Sequence, residues 1–304
     1  VSVLVPPIKC QGIKTKLVPM ILRTIDRDQS TRWIEPFFGS GVVAFNVAPS
    51  NALLADSNPH VVNFYKAIQN GHVNGYSARD FLQREGEVLA RRGQDYYYEV
   101  RDRFNQDREP LDFLFLNRSC FNGLIRFNRE GRFNVPFGHK PNRFARPYVT
   151  KIVNQIERFR SVVASSEWHF KCQDFAKTIA EAGRNDFIYC DPPYLGRHVD
   201  YYDSWNERNE RTLYDSLSKR QARFLLSTWH SNQHRRNEQL DSLWGHHHVT
   251  LHPHFYHIGA RENNRKAMLE ALVTNYPPPR GSLEATVPAV DSSQLEVSLE
   301  LLPA

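Results

Sequence analysis

Four cysteines in 304 residues are too few and too irregularly spaced for a disulfide framework or a zinc site. Cys10, Cys120, Cys172 and Cys190 match no metal or redox spacing, and read as reduced thiols of a cytoplasmic protein. No apolar run approaches the roughly eighteen residues that cross a bilayer, so no membrane partner is expected. The first ten residues show neither a charged start nor a cleavage pattern, and no secretory signal is expected. Gly-Lys-Ser/Thr is absent, which argues against a phosphate-binding P-loop. Residues 281–304 hold no Lys or Arg but four acids, Glu284, Asp291, Glu296 and Glu300. Against a net charge of +6, residues 1–280 therefore carry +10. A basic body with 12% aromatic residues suits a polyanionic partner, nucleic acid above all. At 40% hydrophobic, the chain can also bury a sizeable core.

"PPPRG", Pro277–Gly281, marks the clearest boundary, because three prolines continue neither a helix nor a central strand. Residues 277–304 are expected to form an acidic, weakly ordered tail. Before them, short apolar runs read as buried parallel strands: "RWIEPF", "NALLAD", "DFIYCD", "RFLLSTW" and "AMLEALVTNY". Helical patterns such as "HVVNFYKAIQ" and "ERTLYDSLSKRQ" lie between some of them. This alternation predicts an open α/β sheet, whose ligands bind at the carboxyl ends of its strands. Three of the runs end in Gly or an acid. From about residue 75 the pattern changes. "ARRGQDYYYEVRDRFNQDREP" reads as a solvated, charged helix, and "LNRSCFNGLIRFNREGRFNVPFGHK" as loop and hairpin. This middle block reads as an insertion.

Three constellations carry chemistry. In "EPFFGSGVVAFN" a strand feeds Gly39-Ser40-Gly41 and then a helix, which lets backbone approach a ligand closely. A plain strand-to-helix turn reads equally well from this segment alone. Asp56 ends the next run, where an acid can accept hydrogen bonds from both ribose hydroxyls of a nucleoside. In "DPPY" the prolines hold Asp191 extended at a strand end. The Asp191 carboxylate and the Pro192 carbonyl can face outward as acceptors, with the Tyr194 ring at the same rim. Two acceptors and a stacking ring match a planar group bearing NH2, such as adenine or cytosine. In the third, Arg118, Arg126, Arg129 and Arg132 alternate with Phe121, Phe127 and Phe133, a pattern open to DNA contacts or to an aromatic hairpin with solvated arginines. The histidines from His246 to His257 lack partners at metal-binding spacing; "HVTLHPHFYH" alternates as a strand does, and no metal site is expected.

Together and in this order, "EPFFGSG", "LNRSCFNGLIRFN…FNVPFG" and "DPPY" resemble the Dam-like, alpha-group DNA adenine-N6 methyltransferases over most of residues 6–276. "RHVDYYDSW" and "FYHIGARENNRKAMLEALV" look more like the restriction-modification members. The resemblance implies a Rossmann-like, S-adenosylmethionine-dependent methyltransferase sheet with an inserted DNA target-recognition subdomain. The parts would be 1–74 and 166–276 for the catalytic domain and 75–165 for recognition. Glu35, Phe37, Gly39 and Gly41 would shape the methionine pocket, Asp56 would hold the ribose, and Asp174 and Phe175 the adenine. In "PPIKCQGIK" Gly12 and Lys14 match the family, while Cys10, Gln11 and Ile13 depart from it. Lys14 would be shared between the cofactor and DNA sides, and Asp191 would serve both catalysis and cofactor binding. Arg118, Phe121, Asn122, Leu124, Arg126 and Pro136 fall in the DNA-facing segment. Leu124 and Arg126 resemble the family's GATC readers, in a segment that relatives with other targets share.

The expected reaction is methyl transfer to N6 of an adenine flipped out of double-stranded DNA. The adenine would stack on Tyr194 while Asp191 and the Pro192 carbonyl accept its amino hydrogens. Such an enzyme would protect DNA beside a separately encoded restriction endonuclease. Two alternatives stand: an RNA or other amino-group methyltransferase of the same fold, and a non-catalytic, sequence-specific DNA-binding descendant.

Overall fold

A computed structural model describes residues 2–27, 31–194, 205–232, 235–257 and 265–279. Most of "RHVDYYDSW" and the acidic tail beyond residue 279 fall outside these residues. The strands are β1 (Trp33–Glu35), β2 (Asn51–Asp56), β3 (Glu167–Cys172), β4 (Phe187–Cys190), β5 (Arg223–Asn232), β6 (Arg235–Arg236), β7 (His248–His257) and β8 (Arg265–Thr274). Among the described residues they form one sheet in the order β3-β2-β1-β4-β5-β8-β7, with β6 on β5. The first five in that order run parallel. The resulting 3-2-1-4-5 order is that of a Rossmann-like doubly wound sheet. β8 lies antiparallel between β5 and β7, which corrects the reading of "AMLEALVTNY" as a parallel strand. A period-two apolar pattern sets which faces are buried, and carries no information on strand direction.

Alternate strand residues feed two cores. Trp33, Leu54, Phe187, Tyr189 and Leu225 face one, and Ile34, Leu53, Ile188, Cys190 and Leu226 the other. Helices cover both faces. On the first are α1 (Val18–Thr24), α2 (Val42–Val47), α3 (Pro59–Gln69) and α7 (Arg146–Ala164). α8 (Phe175–Ala180), α9 (Glu207–Ser218) and α10 (Glu238–Trp244) cover the second. α3 begins where the Asn58 side chain accepts from the His60 amide at 2.9 Å, with Pro59 next in the chain.

Between β2 and β3 the chain also makes α4 (Gly75–Arg92), α5 (Gln94–Asp107) and α6 (Pro110–Ser119). α5 is not the solvated helix its charge suggests. Tyr97, Val100 and Phe104, three and four residues apart, form a buried face within the first core. The expected loop at "LNRSCFNG" also starts later, since Leu116–Ser119 end α6. After α6 the chain turns at Phe121–Gly123, and single bridges join Cys120 to Phe137 and Phe127 to Phe133. Among the described residues no helix is long and apolar enough to cross a membrane.

Candidate active site

Strand order reverses between β1 and β4, the position at which open α/β sheets bind their ligands. Asp191 follows β4 directly, and its Oδ1 lies 2.7 Å from Lys14 Nζ. Lys14 is 3% exposed, and its ammonium also donates to the Gly12 carbonyl at 3.1 Å. Gly12 has φ 71°, a turn conformation that a side chain disfavours, and it brings that carbonyl round to Lys14. Lys14 Nζ stands 4.8 Å from the centre of the Tyr194 ring. Lys14 is thus brought to Asp191 and Tyr194 from a distant part of the chain.

Burial pushes the Asp191 carboxyl up to about 6; Lys14 pulls it down, and Glu270 adds to the rise. Tyr194 is not the exposed ring that the motif suggests. It is 7% exposed, packs with Trp229, and its hydroxyl donates to Glu270 Oε2. The Lys14 ammonium, drawn to Asp191, covers part of the ring.

The loop after β1 is fixed by Asp56. Its Oδ2 accepts from the Gly39 amide at 2.8 Å, and its Oδ1 from the Asn58 amide at 2.8 Å. Gly41 has φ 72°, and a Cβ there would lie 2.3 Å from the Phe38 ring. Glu35 is buried and accepts from the Trp33 indole at 3.0 Å. Burial raises its carboxyl well above the usual range, the indole bond lowers it, and the charges of Asp191 and Asp56 raise it further. Cys10 is near enough to feel Asp56, Asp191 and Lys14; burial, then the two acids, push its thiol to about 12. Cys190 lies in the second core, its thiol raised by burial and then by the charges of Glu35 and Asp191.

Beside these acids stands an aromatic cluster. Phe37 stacks on Phe175 at 5.2 Å, and Trp205 meets their rings at 5.6 and 5.4 Å. The Trp205 indole donates to Glu210 Oε2 at 2.8 Å. Asp174, beside Phe175, caps α8 by accepting from the Ala176 amide at 2.8 Å. Trp205 was not singled out from the sequence. Its signal is a lone Trp directly before Asn206, whose side chain caps α9.

On the segment after α6, Phe121 is 49% exposed, Asn122 is exposed with φ 53°, and Pro136 is exposed. Leu124 is half-buried. The Arg126 guanidinium donates to the side chain and carbonyl of Asn134, at 2.8 and 3.1 Å. Arg118 turns inward and donates to the Pro7 carbonyl at 3.2 Å; burial and Arg143 lower it to about 10. A cleft of about 440 Å³ opens here, lined by Lys9, Arg118, Asn122, Arg143 and Lys151 among others. Burial, Arg143 and Arg118 bring Lys9 down to about 8. Convergence of four cations on one cleft is a surface for a polyanion. Lys9, Arg143 and Lys151 were not foreseen, because they lie on separate segments of unremarkable local charge. Among the described residues no group of three or more His, Cys, Asp or Glu side chains could hold a metal ion.

Comparison with known proteins agrees with this geometry. The family model described as D12 class N6 adenine-specific DNA methyltransferase matches residues 11–258. The chain belongs to this family. The chain is 38% identical over 192 residues to the DNA N-6-adenine-methyltransferase of Escherichia phage P1. That match covers 61% of this chain and 23% of the phage protein. The chain is 34% identical over 193 residues to the DNA adenine methylase of Serratia marcescens, covering 62% and 66% of the two chains. It thus spans less than two thirds of either relative. An rRNA methyltransferase, aviRa from Streptomyces viridochromogenes, superposes with a TM-score of 0.34 at 12% identity over 94% of this chain and 93% of the other. That likeness is too slight to carry an argument.

Proposed function

We propose that this D12-class chain transfers a methyl group from S-adenosylmethionine to N6 of an adenine flipped from duplex DNA, as the modification half of a restriction-modification pair. The observation that carries the reading is the Lys14–Asp191 pair beside Tyr194 at the strand-order reversal. An anionic acceptor stands there next to an aromatic ring, held by a buried cation. For the nuclease partner the support is the sequence likeness of "RHVDYYDSW" to restriction-modification members.

The residues present fit the cofactor. Glu35 is a buried acid that feels both Asp191 and Asp56, so a cationic group among the three relieves their mutual repulsion. S-adenosylmethionine supplies such cationic groups and a transferable sulfonium methyl. Glu35, Asp56 and the Gly39–Gly41 turn would hold it, with Phe37, Phe175 and Asp174 at its adenine. Asp191 and the Pro192 carbonyl would accept the two N6 hydrogens of the target base and free the nitrogen lone pair. Catalysis would then rest on positioning and electrostatics. In the free protein the Lys14 ammonium occupies both features the base needs, an Asp191 oxygen and the Tyr194 face, so base entry displaces it. The residues 75–165 would form the recognition insertion, and the cationic cleft would receive DNA backbone.

Expression in a host free of N6-methyladenine, followed by sequencing of modified bases in its plasmid, tests the reading. N6-methyladenine at one short sequence is expected. DNA without it, from cells holding folded protein, overturns the proposal.

The acid limb of the reaction follows from Asp191. Its ionised form is the acceptor, so kcat/KM, which reports the free protein, is expected to fall tenfold per pH unit below about 6. Lys14→Met removes the cation that lowers this carboxyl, and the limb is expected to move to higher pH. A limb unmoved in that variant assigns it to another group. The same shift affects stability with a definite sign. Asp191 holds its proton more tightly folded than unfolded, where such a group titrates near ~3.9. Its contribution is therefore destabilising above about 6, and is relieved as pH falls through that value towards ~3.9.

Trp205→Ala is expected to raise the dissociation constant for S-adenosylmethionine about tenfold, since one aromatic contact is worth up to about 1.5 kcal/mol. Calorimetry gives the value directly, and an unchanged constant removes Trp205 from the pocket.

A further inference from the structure

Glu270 is 0% exposed and interrupts the apolar run of β8. In register it lies opposite Trp229 on β5 and His252 on β7. Side chains paired across neighbouring strands share a face, so Glu270 and Trp229 stand side by side. Both meet the same residue of the neighbouring loop: Trp229 packs against Tyr194, and Glu270 Oε2 accepts the Tyr194 hydroxyl. A carboxylate buried in a sheet costs several kcal/mol unless it is well hydrogen-bonded. A Leu or Val would fill this strand position without that cost. The acid therefore contributes something other than packing.

What it can contribute is ring orientation. A tyrosine ring turns easily about its outer torsion, so packing along one side leaves its plane loosely set. A hydroxyl anchored at the far end removes that freedom. Tyr194 is separated from Asp191 only by Pro192 and Pro193, whose φ angles are fixed by their rings. Backbone at one end and Glu270 at the other would then lock the ring relative to the acceptor. Asp191 also lies close enough to Glu270 to feel its charge.

We propose that Glu270 is a positioning residue for methyl transfer: through the Tyr194 hydroxyl it sets the ring on which the target base stacks, beside Asp191. This rests on the methyltransferase reading of the site. It gives the antiparallel β8 a role in the chemistry, since that strand carries the carboxylate into the parallel half of the sheet.

The test is a cycle of Glu270→Ala, Tyr194→Phe and the double variant, with Glu270→Gln as the conservative change. Each is assayed on DNA carrying the site methylated by the wild type. Glu270→Ala is expected to lower kcat about 100-fold, the loss that a misplacement near 1 Å causes. The dissociation constants for S-adenosylmethionine and DNA are expected to stay within about threefold of wild type. Glu270→Gln, whose amide oxygen still accepts from the hydroxyl, is expected to recover kcat to within about tenfold of wild type. The double variant is expected to be no slower than the slower single variant, because both remove one bond. Losses that multiply in the double variant, or wild-type kcat per folded molecule in Glu270→Ala, overturn the proposal. Should Glu270→Ala not fold, Tyr194→Phe removes the same bond from the other end, and wild-type kcat there overturns it as well. A wild type that methylates no DNA overturns the methyltransferase reading and this one with it, whereas losses confined to the variants bear on Glu270 alone.

Discussion

Asp191→Ala is expected to lower methyl transfer at least about 1,000-fold while much of the DNA affinity remains. The loss has two parts. An acceptor aimed at developing charge is worth about 10² to 10³ in rate when removed, and the Pro192 carbonyl cannot alone hold both amino hydrogens. Lys14, 3% exposed, also loses its counter-ion and becomes a buried cation facing the base. DNA affinity depends on other groups, chiefly the cleft of Lys9, Arg118, Arg143 and Lys151. Single-turnover methylation and a gel-shift titration on the same preparation separate the two effects. Asp191→Asn keeps one acceptor oxygen and is expected to be the less damaged variant. Turnover within tenfold of wild type in Asp191→Ala would falsify the assignment.

Arg103→Ala is expected to cost about 3 kcal/mol of stability, the low end for one partner lost from a buried charge network. Arg103 joins three helices. It donates to both Asp112 oxygens, at 2.8 and 2.5 Å, and to Glu85 Oε2 at 2.7 Å. Asp112 and Glu85 have side chains only 3% and 7% exposed, while Arg103 is 40% exposed. Water can therefore reach the vacated position, which places the cost at the low end. Burial raises Asp112, and Arg103 opposes that rise. In Glu85, burial acts upward, but bonds from Arg103, Tyr96 and Arg84 bring the carboxyl below its usual range. Urea unfolding gives the number, and a loss under about 1 kcal/mol contradicts it. Arg103→Lys is expected to recover only part, because an ammonium cannot match the two-pronged contact with Asp112.

The parallel half of the sheet was legible because its strands are apolar on both faces and several end in a chemically marked residue. Glu35, Asp56 and Asp191 each close or follow such a run, and the structure draws them close enough for Glu35 to feel the charge of the other two. The Lys14–Asp191 pair was not legible, since nothing local in "GIKTK" or "CDPPY" says that the two segments meet. α5 was misjudged because Arg, Asp and Asn dominate its composition and hide the spacing of Tyr97, Val100 and Phe104. Glu270 was overlooked although its signal was plain, a single acid within "AMLEALV". An isolated charge in an apolar strand asks for a partner, and that partner lay on a loop 76 residues earlier in the chain. The exposure of Tyr194 was misjudged for the same reason, because what covers the ring comes from Lys14 near one end of the chain and from β5 and β8 near the other.

Among the described residues β8 is the last strand, yet it pairs with β5 and β7 on its two sides. During synthesis the β5 edge must therefore wait unpaired until residue 274 has left the ribosome. At about 5 to 20 residues per second this wait lasts a few seconds. Over that interval β5 offers an open edge bearing Leu225, Leu226 and Trp229, the kind that attracts stray strands. A nascent chain stalled before residue 270 would carry the whole Asp191 motif and no Glu270. Assembly of the active site is thus tied to completion of the sheet.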